Sequence, residues 1–521
     1  LTATAPRASA APRTVIVGGG LAGLAAAVTL ADRGVSVTVL ESRPRLGGRA
    51  SSFVDKATGT QIDNCQHVSL GCCTNFQHFC RTVGLSDLFR TERALYFIGR
   101  DRVVNRLAAG ALPAPLHLAT AFAHTSYLSV RDLLAIGRGM QALARPPGKH
   151  GVPSHDEHFA AWLARHRQTQ AAIERFWTPV LVSSLSETLE RIDVASARKV
   201  FVDGFLANRH GWEVQIPTVP LDTLYGARLT SWLAERAASV RLQAGVAHLA
   251  IADGRAAGVV LRSGETIPAD HVVVAVPHWL VLDLLPPECA AHPDVSRVRE
   301  LETAPISSVH LWFDRPILIP SGARTGNDSN SSGPAELPHA VLIDRLSQWI
   351  FNRDVLHADA AAGVQLSTEA TPVEPRGHNY QVIISASRNI AAASQQDVIA
   401  EVVRELVDVF PQTGQAKLLH GRLVTEHRAV FSVRPGAENC RPAQQSPLPN
   451  VQLAGDWTRT GWPSTMEGAV RSGFLAAENV LRQLGRAERI VQPDLLVAPL
   501  ARLLLRIGSR DSLSSRTGES G

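Results

Sequence analysis

One stretch constrains this chain more than any other: Val15-Ile-Val-Gly-Gly-Gly-Leu-Ala-Gly-Leu24. The β-branched residues Val15 to Val17 suit a buried strand and run straight into Gly18-x-Gly20-x-x-Gly23. Leu21 to Asp32 then reads as a helix closed by Gly34, and a second strand, Val35 to Leu40, ends on Glu41. Strand, tight turn, helix, strand and acid is the order of a dinucleotide-binding βαβ unit. Gly18 permits the turn, Gly20 lets backbone approach a pyrophosphate, and Gly23 lets the helix pack on the strand. The helix N-terminus offers free N–H groups and a positive dipole end to the phosphates, and Glu41 is placed to accept from ribose hydroxyls. The three glycines alone also fit an ordinary Gly-rich turn; the strand before them and the acid after them make the motif specific.

The residues just beyond Glu41 narrow the dinucleotide. Ser42-Arg-Pro-Arg-Leu-Gly-Gly-Arg49 sets Gly47, Gly48 and Arg49 just past the second strand, where NAD enzymes usually have no such turn. This resembles the extended signature of the FAD-binding amine oxidase and phytoene desaturase superfamily. The resemblance implies FAD as cofactor, with Gly47 and Gly48 close to it and Arg49 beside it. It also implies the fold class: α/β, a Rossmann-like FAD-binding domain of the amine oxidase or glutathione reductase type with an inserted α+β substrate domain.

The C-terminal part carries a second signature, Val451-Gln-Leu-Ala-Gly-Asp456 followed by Ser464-Thr-Met-Glu467-Gly. Strand, Gly-Asp, loop and helix is the C-terminal flavin motif of the same superfamily, which implies Gly455 and Asp456 near the ribityl and phosphate part of FAD. Ser464 and Glu467 fit a capping box, so a helix containing Met466 and Glu467 is expected to start there and run to about Leu484. By resemblance that helix start faces the N1 and O2 edge of the isoalloxazine. Its dipole would stabilise reduced flavin by about 0.3 to 2 kcal/mol. Between the signatures, Val240 to Val276 reads as short strands ending in Val274-Ala-Val-Pro-His278, with Val246 implied to touch the adenine through its backbone. A self-contained β-meander explains the same pattern.

A narrower family is implied by Asp63-Asn-Cys-Gln-His-Val-Ser-Leu-Gly71, which resembles the squalene-associated FAD-dependent desaturases, understood as hydroxysqualene dehydroxylases of bacterial hopanoid synthesis. That family usually has Gly where this chain has Cys65, a residue that disfavours positive φ. The implied reaction removes the allylic hydroxyl of hydroxysqualene reductively, with a polyisoprenoid substrate and an unidentified electron donor for FAD. Hydroxide leaves poorly, so His67 or Asp63 is the candidate catalytic acid. A structural role for His67 remains the alternative; the polar density of Asp63, Asn64, Gln66 and His67 favours a site wall. The competing readings are a carotenoid-type desaturase, an amine oxidase, and a prenyl-binding escort without enzyme activity. An escort would not need the flavin residues all present here.

A chain of 521 residues exceeds one ordinary core, so more than one domain is expected. The boundaries read as a disordered leader 1–13, FAD-binding segments 14–90, 235–285 and 415–486, substrate segments 91–234 (mainly helical) and 286–414, and a tail 487–521. Pro320 to Pro338, rich in Gly, Ser, Asn and Pro, reads as a mobile surface loop. The leader lacks the apolar run of a secretory signal. A net charge of +5 without a Lys/Arg block argues against a nucleic-acid partner. Six cysteines without a CxxC pair or a paired-His motif imply no metal and reduced thiols in a cytoplasmic protein. No window is apolar enough to span a bilayer, but Leu495 to Ile507, with Arg502 and Arg506 one helical turn apart, could lie peripherally on the cytoplasmic membrane or dock on the protein itself.

Overall fold

The computed structural model describes residues 12–145, 155–236, 238–318, 336–361 and 377–505. Most of the expected leader and of the Pro320 to Pro338 loop, and the last part of the tail, lie outside them.

Arg13–Val17 is the middle of a five-stranded parallel sheet ordered Ser239–Arg241, Ser36–Leu40, Arg13–Val17, His271–Val274, Val451–Leu453. Strands from three distant parts of the chain therefore line up, and their C-terminal ends open on one edge, where open α/β sheets bind ligands. Helix Leu21–Ala31 is buried along its whole length, as its Leu, Ala, Val and Gly composition allows. It lies against helix Met466–Gln483, so the two signature regions of the sequence pack on each other. Val246–Ala252, Arg255–Leu261 and Thr266–Pro268 form a three-stranded antiparallel meander beside this sheet. Both readings of that segment hold, since the chain leaves the meander directly into His271–Val274.

The second unit is built on a seven-stranded sheet ordered Leu418–Phe431, Thr303–Phe313, His378–Ser385, Trp349–Asn352, His339–Leu342, Leu95–Ile98, Val104–Leu107. Its pairs are antiparallel except His339–Leu342 with Leu95–Ile98. The sheet takes two strands from the segment read as mainly helical and runs past 414 to Phe431. Leu418–Phe431 carries no hydrophobic alternation, because nearly all its side chains are only half-buried or exposed. Helix Val130–Ala144 begins where its Ser129/Asp132 capping box places it. Residues 221–234 are helical throughout, with a wide i→i+5 stretch at Thr223–Arg228 leading into Leu229–Ala234.

Candidate active site

A cleft opens at the C-terminal edge of the parallel sheet. Of the residues singled out in the sequence, Gly18, Gly20, Glu41, Gly47, Gly48, Arg49, His67, Gly455, Asp456 and Met466 line it. Val246 lines an adjoining hollow with Gly18, Ser42, Val276 and Leu280, and those four residues also border the cleft. The cleft and hollow thus run on from one another, as an extended dinucleotide requires.

The glycines divide into two kinds. A Cβ on Gly23 would lie 2.0 Å from the Gly18 carbonyl oxygen, so Gly23 serves the contact of helix and strand. A Cβ on Gly20 would meet no protein atom nearer than the Gly48 Cα at 3.9 Å, so the space beside it belongs to the cleft. Gly20 also precedes the buried helix Leu21–Ala31, whose first N–H groups have no side-chain cap. Phosphate oxygens are the acceptors such a helix end fits. Glu41 accepts from the backbone N–H groups of Gly19 and Arg43, each at 2.8 Å, which fixes its carboxylate at the cleft wall. These residues fit FAD.

Arg49 and Asp456 meet across the cleft, 407 residues apart, through Nη2 and Oδ1 at 2.5 Å, and Arg49 Nη1 donates to the Ala429 carbonyl. Burial alone would raise the Asp456 carboxyl, but Arg49 and the Ser464 hydroxyl outweigh it and hold the group below the ordinary carboxylate range. Ser464 therefore donates to Asp456 and does not cap the following helix. The cap is Thr465, which accepts from the Gly468 N–H at 3.1 Å. The Ser464 hydroxyl, held by Asp456, accepts from the Phe431 N–H at 3.3 Å instead of from the helix, and the next hydroxyl caps the helix.

Glu467 does not reach toward the cleft. Its carboxylate is fully buried and accepts from the Asn75 and Phe76 backbone N–H groups and from Asn75 Nδ2, capping helix Thr74–Thr82 from outside its own sequence. Burial raises its carboxyl.

Asp63 is also held away from the cleft. It is buried beside Arg353, with Oδ2 at 2.6 Å from Nη2, and accepts from Ser52 Oγ and the Leu221 N–H. Burial raises its carboxyl, but Arg353 and these two donors prevail and keep it below the ordinary range. An ionised, fully engaged carboxylate is no proton donor. Its partner Arg353 carries no motif in the sequence and could not be singled out.

His67 does line the cleft. Its Nδ1 lies 3.0 Å from the Cys65 carbonyl, which only accepts, so Nδ1 carries the proton and Nε2 presents a lone pair. Burial lowers the imidazole below its ordinary value, which keeps it neutral at pH 7. Cys65 is not in the left-handed region, so the chain needs no glycine there. Burial pushes its thiol up to about 12. Among the described residues no group of three or more His, Cys, Asp or Glu converges as a metal site would.

A second space, largely apolar, lies against the cleft. Leu95, Phe97, Val180, Trp212, Trp349 and Phe351 contribute to its walls, which are drawn from both units. Gln66, Thr465 and Met466 border the cleft and this cavity alike. A further wall comes from the wide-turn helix Lys199–Leu206, through Val200, Gly204 and Phe205.

Comparison with known proteins agrees with this architecture. Zeta-carotene desaturase of Zea mays is 26% identical over 480 residues, covering 88% of this chain and 82% of that protein. Zeta-carotene desaturase of Synechocystis is 24% identical over 501 residues, covering 92% of this chain and 99% of that protein. Among solved structures, an oxidoreductase from Methanosarcina mazei superposes with a TM-score of 0.64 at 17% identity, over 90% of this chain and all of that one. Cyclohexylamine oxidase from Brevibacterium oxydans gives 0.63 at 18% identity, over 92% of this chain and all of that one. The family model for flavin containing amine oxidoreductases matches residues 21–481, from the first residue of helix Leu21–Ala31 into the last turn of helix Met466–Gln483. The chain is an FAD-dependent oxidoreductase and belongs to the flavin-containing amine oxidoreductase family.

Proposed function

We propose that this enzyme removes the hydroxyl of hydroxysqualene reductively, giving squalene. The observation that carries this reading is the junction of flavin cleft and apolar cavity at Gln66, inside the Asp63 to Gly71 segment that suggested the substrate. A polyisoprenoid with one hydroxyl suits such a junction: its hydrocarbon gains about 25 cal/mol per Å² on leaving water, while the reacting carbon must reach the cleft. The balance is R–OH plus hydride plus proton, giving R–H and water. Reduced FAD, when bound, supplies the hydride equivalent. The protein excludes water, sets the reacting carbon and manages one proton. His67 Nε2 is the titratable atom placed for that proton; being neutral, His67 must take a proton up before it gives one.

This fixes a pH dependence. If protonated His67 assists departure of the hydroxyl, kcat/KM rises as pH falls through the lowered pKa of His67 and declines above it. His67→Ala abolishes that limb, and a single-turnover pH profile of both proteins measures it.

The curated relatives favour a second reading, oxidative desaturation of a carotene, and so does a His67 whose Nε2 is an acceptor. A base works in its neutral form, so the limb would then rise with pH. Anaerobic incubation of the reduced enzyme with hydroxysqualene, and of the oxidised enzyme with phytoene, separates the two. Squalene from the first supports dehydroxylation; desaturated product from the second without squalene from the first overturns it.

We further infer peripheral membrane contact, because substrate and product of this kind reside in lipid. Among the described residues no helix is long and apolar enough to cross a membrane. Helix Pro499–Leu505 docks Ala501 and Leu505 on Ala144, Val202 and Ala207, and leaves Leu503 73% and Leu504 45% exposed. The preceding segment is tied down by Ala498 N–H to the Ala207 carbonyl at 2.7 Å, next to the cavity wall at Gly204 and Phe205. Leu503→Ser with Leu504→Ser is expected to lower co-sedimentation with anionic liposomes several-fold and leave the flavin spectrum intact. Equal sedimentation of variant and parent would remove the tail as an anchor.

A further inference from the structure

Among the described residues, Gln66 is the one polar side chain at the junction whose hydrogen bonding is incomplete. Of the three residues bordering both spaces, Met466 has no strong polar group, and the Thr465 hydroxyl accepts from the Gly468 N–H and donates to the Pro463 carbonyl. Gln66 is held differently. Its Oε1 accepts from Arg353 Nη1, and Arg353 is in turn fixed by Asp63 through its other terminal nitrogen at 2.6 Å. A guanidinium only donates, so this contact settles which end of the amide is oxygen. The NH₂ end therefore faces the other way. It reaches the His67 carbonyl only at 3.4 Å, a weak contact that uses at most one of its two N–H bonds.

We propose that Gln66 donates a hydrogen bond to the oxygen of a polyisoprenoid alcohol at the junction, and that Arg353 and Asp63 are positioning residues that aim it. The proposal rests on the dehydroxylation reading above and deepens it. A carotene carries no oxygen, so for a hydrocarbon substrate this buried donor would stay unpaired. An unpaired amide at a junction whose other polar side chain, Thr465, is already paired discriminates against the ligand that cannot pair with it. The same bond would set the C–O axis of the alcohol relative to the cleft, ahead of bond cleavage. The Asp63–Arg353–Gln66 relay also explains why a charged pair is buried behind a site that neither of its members lines: it holds one amide in one orientation.

The test uses the flavin-loaded full chain and compares KM for hydroxysqualene with Ki for squalene. In the parent, the alcohol is expected to bind about 10-fold tighter than the hydrocarbon, the value of one net hydrogen bond. Gln66→Leu should abolish that preference and lower kcat/KM by about 10-fold or more, with Ki for squalene unchanged or improved. Gln66→Glu, assayed at pH 8, separates aiming from donating: the carboxylate keeps or strengthens the Arg353 contact, so melting temperature is maintained, but it can only accept from the alcohol O–H and cannot donate to its oxygen as the hydroxyl leaves, so kcat/KM falls as in Gln66→Leu even where the alcohol still binds. Arg353→Lys, which keeps the charge but not the fork, should raise KM for the alcohol without moving Ki for squalene. If the parent makes squalene and either Gln66→Leu keeps its alcohol preference or Gln66→Glu keeps its kcat/KM, the proposal falls and the dehydroxylation reading stands. A parent that makes no squalene from hydroxysqualene overturns both.

Discussion

Gly20→Val is expected to purify as a folded protein without flavin. Gly20 has φ −78° and ψ 174°, extended backbone that valine adopts readily. Its Cβ would meet no protein atom closer than 3.9 Å, so the apoprotein has room for it. The branched side chain would instead fill the space between the turn and Gly48, where the pyrophosphate has to approach the helix end. Loss of that approach should weaken FAD binding by at least 100-fold, or about 2.7 kcal/mol, enough to strip cofactor during purification. The 450 nm to 280 nm absorbance ratio reads flavin content, and circular dichroism reads the fold. Gly23→Val is the contrasting variant: its Cβ would sit inside the Gly18 carbonyl, and that protein should fail to fold whether or not FAD is supplied. Stoichiometric FAD in Gly20→Val would show that the dinucleotide lies elsewhere in the cleft.

The second large effect is on stability. Asp63→Asn removes the charge that compensates Arg353, whose side chain is 9% exposed. A buried cation left without its partner costs about 3 to 5 kcal/mol, more than the pair itself is worth relative to apolar replacements. The variant should melt well below the parent in thermal or urea unfolding of the flavin-loaded protein, while binding FAD normally at low temperature. Any slowing of turnover should follow from a misaimed Gln66 and not from a lost proton donor. An unchanged melting temperature with slowed single turnover would restore Asp63 to proton transfer.

Much of the flavin side was legible because its residues act through local geometry. The Gly18 to Gly23 turn, Glu41 after its strand and the Gly455-Asp456 pair each need only their immediate neighbours to take up a recognisable conformation. The substrate side was legible only as apolar character. Periodicity does not separate core from cavity lining, since Trp177 and Trp212 are both buried aromatics and Trp212 alone of the two borders the cavity. The wide-turn helix Lys199–Leu206 was equally hidden, because i→i+5 bonding shifts the side chains that face the cavity away from the 3.6-residue pattern. Two side-chain roles were misassigned for a related reason. Ser464 and Glu467 have the spacing of a capping box, but Asp456 claims the hydroxyl and helix Thr74–Thr82 claims the carboxylate.

The sequence by itself determined the nucleotide-binding unit, because a strand, turn, helix and acid within about thirty residues are coupled by backbone sterics and short-range hydrogen bonds, while FAD as its cofactor was implied by the resemblance that Gly47, Gly48, Arg49, Gly455 and Asp456 carry. Only the tertiary structure decided that Asp63 is a structural anion, that Glu467 caps a distant helix, and that Arg353, 287 residues from Gln66, holds it at the junction of cleft and cavity. Such roles depend on which buried charges and unpaired N–H groups are brought together, and in a low-dielectric interior each must find a partner wherever the fold supplies one.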